Sequence, residues 1–382
     1  MGTLTGLIPG LHINLVAVLA LSSASLLQGY LSPVQIAVAI VVMSVTHTFV
    51  DFIPSIFLGA PEGETALSVL PGHQMLLRGR GYEALMLTLV GGIFSLISAA
   101  VFFPLAIILY PLIFNPANHI IHWLLLAAVL FFILREKEHE KKLSATAVVM
   151  LAGCLGLLAL EKVNEPLLPL FSGLFGVSTL LSSMMRKTKI PLQRVNAARL
   201  PKSWLKSSAI GTLFGGLINL FPALGPAQAA TMAGIFVRST TKSYLLMVGA
   251  VNTASMLLAL ATLHSINRAR NGSIEVLSSL AEINLATVAT FLAAVLVAAP
   301  LIVFVTINIA RKSSEVVARM PYRAMCIAVI AVIVAAVSLL SGWKGIIVLA
   351  TGTAIGLMAI SSGISRSHSM ASLILPVAIR KF

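Results

Sequence analysis

The chain has 382 residues, of which 58% are hydrophobic and only 10% charged, and its mean hydropathy is +1.00. A soluble domain carries about 25% charged residues, so this composition excludes a soluble fold and leaves a polytopic membrane protein. The net charge of +14 does not point to nucleic acid, because most Lys and Arg lie in short loops, where they set orientation and meet anionic headgroups.

A membrane span needs about 20 apolar residues. Apolar segments run at roughly 3–27, 34–58, 83–113, 117–134, 143–160 and 166–185, and again at 207–236, 243–264, 284–310, 324–341, 344–362 and 368–379. The first is not a cleavable signal peptide: it has no basic region before it, and Pro9-Gly10 interrupts it. Between the two sets lies a linker, 186–206, with Arg186, Lys187, Lys189, Arg194, Arg199, Lys202 and Lys206 and no acid. The expected organisation is a membrane repeat over 1–185, a basic cytoplasmic linker over 186–206 and a second repeat over 207–382.

The halves share an order of elements. Each opens with a segment broken by Gly and Pro, Gly6–Asn14 in the first and Gly216–Pro226 in the second. Each continues with a span bearing a polar pair, His47-Thr48 or Asn252-Thr253, then a polar stretch, 59–81 or 265–283, then a long apolar segment. Helix breaks in hydrocarbon are tolerated only where they are buried in protein or line a polar cavity. Two breaks at corresponding places are the signature of a transporter site. With the linker cytoplasmic, the basic loops at 78–80, 135–142 and 311–323 also fall inside, provided that 207–236 enters and returns as a re-entrant hairpin. If 3–27 behaves alike, each half has five crossings and one hairpin, and the second half is inverted. Arg268 and Arg270 then fall outside.

Asp51 is the sole aspartate and sits within an apolar span, with His47 at i−4 on the same face. An ionised aspartate near the bilayer centre costs at least about 2.5–3.5 kcal/mol, and intramembrane acids usually pair and serve function. The pair reads as a proton or cation site, or as a cap just before Pro54. Thr48 and Asn252 join the ion-coupling candidates. Asn252, Thr253 and Ser255 could be hydrogen-bond glue between helices, but their place opposite His47-Thr48 favours the cavity, and Thr253 is a substrate-binding candidate.

Gly59, Ala60, Pro61, Glu62 and Thr65 form a stretch that reads as a capped surface loop or as a re-entrant tip whose free N–H groups meet an anion. Pro9, Gly10, His12 and Asn14 at the first break, and Asn219, Gly225 and Gln228 at the second, are expected to face one cavity if the breaks meet. A packing role is the plainer account of His12. Arg268, Asn271 and Ser273 form a polar tip that holds a carboxylate or phosphate, or is simply solvated. The cysteines, Cys154 and Cys326, are expected to be buried packing residues. No Gly-x-Ser-x-Gly, His-Glu-x-x-His or Walker A sequence occurs, and an enzyme is not expected.

The run Ile53–Pro61 followed by Leu70–Leu85, together with Gly6–Gly10, Gly211–Pro226 and Val251–Ala254, resembles the TctA-type large membrane subunit of tripartite tricarboxylate transporters, in the pattern of its archaeal, stand-alone branch. The resemblance covers most of the chain. It implies a secondary transporter for organic anions, working with a small membrane subunit and an extracytoplasmic binding protein. The expected fold is all-α, with two inverted repeats and broken or re-entrant hairpins. The expected function is a plasma-membrane permease for a small organic anion such as a carboxylate, with Na⁺ or H⁺ as coupling ion and no other cofactor. A polyprenyl-phosphate translocase is the alternative, and an intramembrane lipid-phosphate enzyme a more distant one. A homodimer stays open.

Overall fold

The structure, a computed structural model of the chain, describes residues 1–7, 30–59, 69–117, 120–185, 190–221, 225–234, 236, 240–269, 272–319 and 321–380. Among the described residues every regular element is helical. Among the described residues six helical segments are long and apolar enough to cross a membrane: Pro33–Leu58, Gly81–Pro116, His139–Lys162, Thr241–Ile266, Leu285–Arg319 and Arg323–Ser361.

The short α1 (Gly2–Leu7) lies along α2 (Pro33–Val50). Ser32 starts α2 with a reciprocal cap, its hydroxyl accepting from Gln35 N and its own N–H donating to the Gln35 side chain, with Pro33 in the first turn. Pro54 has no N–H to donate and ends the regular α2 path. The chain continues as a wide π-helical turn over Pro54–Leu58 and leaves it at Gly59 with φ 67°, a left-handed conformation that glycine adopts without penalty. A short α3 (Val69–Leu76) follows, then the long α4 (Gly81–Ala117). Next come α5 (Ile121–Leu134) and α6 (His139–Lys162). A broken segment closes the first half: α7 (Leu167–Phe171), a π-helical turn at Ser172–Val177 and α8 (Ser178–Met185).

The second half opens with α9 (Trp204–Leu217), a 3₁₀ turn at Ile218–Leu220 and α10 (Pro226–Ala233). Both pack on the next helix, α11 (Thr241–Ile266). Gly211 and Gly215 of α9 lie against Met247 and Val251 of α11, so α9 ascends beside it. Ala233, at the far end of α10, is back at Met247, and Ser203 bonds Ser243 at 2.9 Å. The chain therefore enters along α11 and returns to the end it left, while the turn itself, 222–224, is outside the described residues. After α11 come α12 (Gly272–Leu280), α13 (Leu285–Arg319) and α14 (Tyr322–Ser361). At Gly342, φ 66° and ψ −166° break α14. A β-carbon on Gly345 would lie 3.1 Å from Val337, a contact that a straight helix does not allow, so α14 is two helices that meet at a sharp bend. The sequence places its break here, between 324–341 and 344–362. A 3₁₀ turn at Arg366–Met370 leads into α15 (Ala371–Arg380).

The centre of the molecule is α11, buried on every face from Leu245 to Leu263. Helices in lipid gain little from hiding apolar surface and associate through close backbone packing, for which small residues are needed. Here a β-carbon on Gly91 would fall 2.1 Å from Leu246 O, and one on Gly249 2.0 Å from Thr88 O. Large apolar side chains such as Val101, Phe102, Leu112, Phe304 and Leu339 point outward instead. Cys154 does too, contrary to the expectation of a buried residue, whereas Cys326 is buried. The reason is the solvent: in hydrocarbon an apolar side chain has no cause to turn inward.

Candidate functional site

The break after α2 faces the middle of α11. Asp51 is fully buried at the C-terminal cap of α2. The Nδ2 amide of Asn252 donates to Asp51 Oδ2 at 3.0 Å and to the Thr48 carbonyl at 3.3 Å. Both amide protons are thereby used, and the amide is fixed with its Oδ1 on the other side. Asn252 Oδ1, Thr253 Oγ1 and Asn219 Oδ1 are buried and have no partner among the described residues. One member of each polar pair, Thr48 and Asn252, thus meets the other across the interior, while His47 is turned to Thr5.

The rest of the break is held by side chains. His47 Nδ1 lies 3.1 Å from Thr5 Oγ1, and Thr5 gives its hydroxyl proton to Gly2 O. The His47 ring must therefore carry its proton on Nδ1. Ser55 donates to Asp51 O, and His73 Nδ1 donates to the Ile56 carbonyl at 3.1 Å. The Asp51 carbonyl also accepts from Ser55 N at 3.4 Å, so the Ser55 hydroxyl reinforces a long backbone bond, and the His73 bond gives the π turn a partner from α3. Asn219 sits in the 3₁₀ turn that ends α9, its amide 3.5 Å from Gly215 O. The preceding residue, Ile218, packs in one cluster with Val50, Ile53 and Val251. Gly225 leads into α10, and its carbonyl accepts from Ala229 N.

The other tip lies elsewhere. Ile266, the last residue of α11, is about 21 Å along the helix from Asn252 at 1.5 Å per residue. There Arg268 stacks on Phe114, with its guanidinium 4.9 Å from the ring centroid, and burial pushes its pKa below the usual arginine value. Ser273 is buried at the start of α12. Arg268 and Ser273 are therefore not brought to Asp51. Pro9, Gly10, His12, Asn14, Ala60, Pro61, Glu62, Thr65 and Asn271 lie outside the described residues, as does the side chain of Gln228.

An open groove of about 400 Å³ runs between α4 and α9, lined by Phe102, Leu109, Leu213 and Leu258 among others. Its hydroxyls are engaged internally: Ser98 with Phe94 O, Thr212 with Ser208 O and Tyr110 with Gly216 O. The groove suits an acyl chain and offers nothing to an anion.

Sequence reasoning missed two groups. Thr5 could not be tied to His47, because the contact spans 42 residues. Arg366 stands just before the apolar segment at 368–379 and is given no role by the sequence reading, although an arginine among hydroxyls beside such a run is a usable signal.

Long lipid-facing helices around a buried central helix, with a sole aspartate bonded across a helix break, define a polytopic membrane protein with a polar interior. The sequence matches the Tripartite tricarboxylate transporter TctA family over residues 1–371, and the chain belongs to that family. It is also similar to the uncharacterized protein MJ1079 of Methanocaldococcus jannaschii, with 26% identity over 396 residues, covering 99% of this chain and 96% of that protein. No solved structure matches the chain.

Proposed function

We propose that the chain is the permease of a secondary transporter for a small carboxylate, coupled to Na⁺ or H⁺ and oriented with the 186–206 linker in the cytoplasm. The observation that carries this reading is the buried Asp51–Asn252 bond at a helix break in a member of a transporter family. The Asp51 carboxylate is a hard oxygen donor that suits Na⁺ and an acceptor that suits H⁺. The family is that of tripartite systems, so a small membrane subunit and an extracytoplasmic binding protein are the proposed partners.

The test is uptake of labelled citrate and succinate into proteoliposomes under an imposed Na⁺ or pH gradient. Gradient-driven uptake is expected, and Asp51→Asn is expected to abolish it while the protein still inserts and purifies. Uptake indifferent to both gradients, or unchanged in Asp51→Asn, removes the coupling role. The lipid-phosphate alternative draws on the apolar groove between α4 and α9; flipping of a labelled polyprenyl phosphate without carboxylate uptake would establish it instead.

A further inference from the structure

The groove between α4 and α9 has a shape that selects its occupant. Its lining on α4 runs from Phe94 to Ile113, about 28 Å of helix at 1.5 Å per residue, close to the ~30 Å of hydrocarbon in a bilayer. Spread over that length, its volume of about 400 Å³ leaves a section of about 14 Å², roughly 4 Å across, which is the spacing of two carbon atoms in contact. A helix with its side chains is about 10–12 Å wide. The groove is therefore too narrow for a helix of a partner or of a second copy, and it takes a single hydrocarbon chain. Leu258 of α11 forms its floor, and Phe102, Leu105, Leu109 and Leu213 are exposed along its open side.

A charge stands at one end of it. Tyr110 lines the groove, and Phe114 is the next residue on the same face of α4. Leu217, the last residue of α9, lines the groove too and packs against the same apolar cluster as Phe114 and Ala269. Between them the Arg268 guanidinium lies 4.9 Å from the Phe114 ring centroid. No acid compensates Arg268 among the described residues, and burial alone moves its pKa. Phe114 is two residues short of the end of the Gly81–Pro116 span, and Arg268 is two residues past the end of Thr241–Ile266. That is the level of the headgroups, where a long basic side chain lays its stem on apolar surface and meets lipid phosphate.

A planar guanidinium matches a phosphate with two parallel hydrogen bonds. We propose that the groove holds one hydrocarbon tail of an anionic phospholipid whose phosphate is bound by Arg268. The second tail stays in the bilayer through the open side. The lipid braces α9, the entering arm that ends in the 3₁₀ turn of Asn219, against α4. This site is independent of the anion that the permease carries.

The experiment is native mass spectrometry of the full chain, stripped of lipid in detergent and titrated with phosphatidylglycerol or phosphatidylcholine, with the melting temperature followed in parallel. One basic side chain at a membrane surface corresponds to about a fivefold preference for the anionic lipid. The native protein is expected to hold one phosphatidylglycerol with that preference and to melt higher with it. Arg268→Gln should bind both lipids alike, and Arg268→Lys should keep part of the preference. Leu213→Trp, which narrows the groove at an exposed position, should weaken both. On the native protein, phosphatidylglycerol with six-carbon tails should bind at least about tenfold more weakly, because each lost CH₂ removes apolar contact. Equal binding of the two lipids by the native protein, or a preference that survives Arg268→Gln, overturns the headgroup contact. Binding that is indifferent both to tail length and to Leu213→Trp overturns the tail site. A dimer in the native spectrum that Leu213→Trp separates would make the groove an interface between copies and overturn the lipid.

Discussion

Asp51 and Asn252 stand in different halves, and each is the other's answer to an expensive problem. Burying a lone carboxylate in hydrocarbon is unfavourable by at least about 2.5–3.5 kcal/mol, and a hydrogen bond to a charged group returns about 1.5–3 kcal/mol. Asn252→Leu is expected to lower the melting temperature of the detergent-solubilised protein. The double change Asp51→Asn, Asn252→Leu should recover part of that loss, because no carboxylate is left to satisfy. Additive losses in this cycle would mean that the two residues do not support each other. Both positions were legible as isolated polar residues in apolar runs. Their bond was not, because 201 residues separate them and no local pattern encodes such a contact.

At the scale of elements, the helices are written in the sequence as apolar runs and the breaks as Pro and Gly. The closeness of α4 to α11 is written only in part: Gly91 and Gly249 are visible, but that each faces the other helix's backbone depends on register. The C-terminal segment is fastened by a single acid. Glu136, in the loop between α5 and α6, accepts from Ser365 N and from His368, both at 3.0 Å. Burial pushes its pKa up, but the Ser365 and His368 hydrogen bonds and the nearby charge of Lys141 outweigh this and hold it below the usual carboxylate value. An acid with a lowered folded-state pKa stabilises fully above its unfolded value, about 4.3, and loses that contribution as pH falls through the folded value. Thermal stability should therefore fall more steeply with acidification below about pH 4.3 in the native protein than in Glu136→Gln. Parallel profiles would show that the tie contributes nothing.

For the whole molecule, the linker, the loop at 78–80 and Lys242 gather at one end. Arg194 N bonds Gly79 O at 2.9 Å, Gln193 bonds Gly81 N and Leu76 O, and Lys242 reaches Arg199 O at 2.7 Å and Glu83 at 2.8 Å. The linker is thus laced to the loop before α4 and to the start of α11. The opposite end holds the Arg268–Phe114 stack and the bond from Ser341 to Glu165 O. An excess of Lys and Arg marks the cytoplasmic side. Leu192 in the linker and Leu339 beside the Gly342 bend are 82% and 85% exposed. In a background with both native cysteines replaced, Leu192→Cys should react with an impermeant thiol reagent only after the membrane is opened, and Leu339→Cys in intact cells. The reverse pattern would invert the proposed orientation.

Composition and apolar periodicity by themselves determined that the chain lives in a bilayer, is helical throughout its regular elements and is interrupted near Pro54, at Pro222–Pro226 and between 341 and 344, because hydropathy and helix breaking are properties of short stretches. Only the tertiary structure decided that Asn252 serves Asp51, that Arg268 sits far from both and that Arg366 bonds carbonyls of the π-helical turn at Ser172–Val177. Those outcomes turn on which faces of distant helices come into register, and that is fixed by backbone packing across the whole bundle.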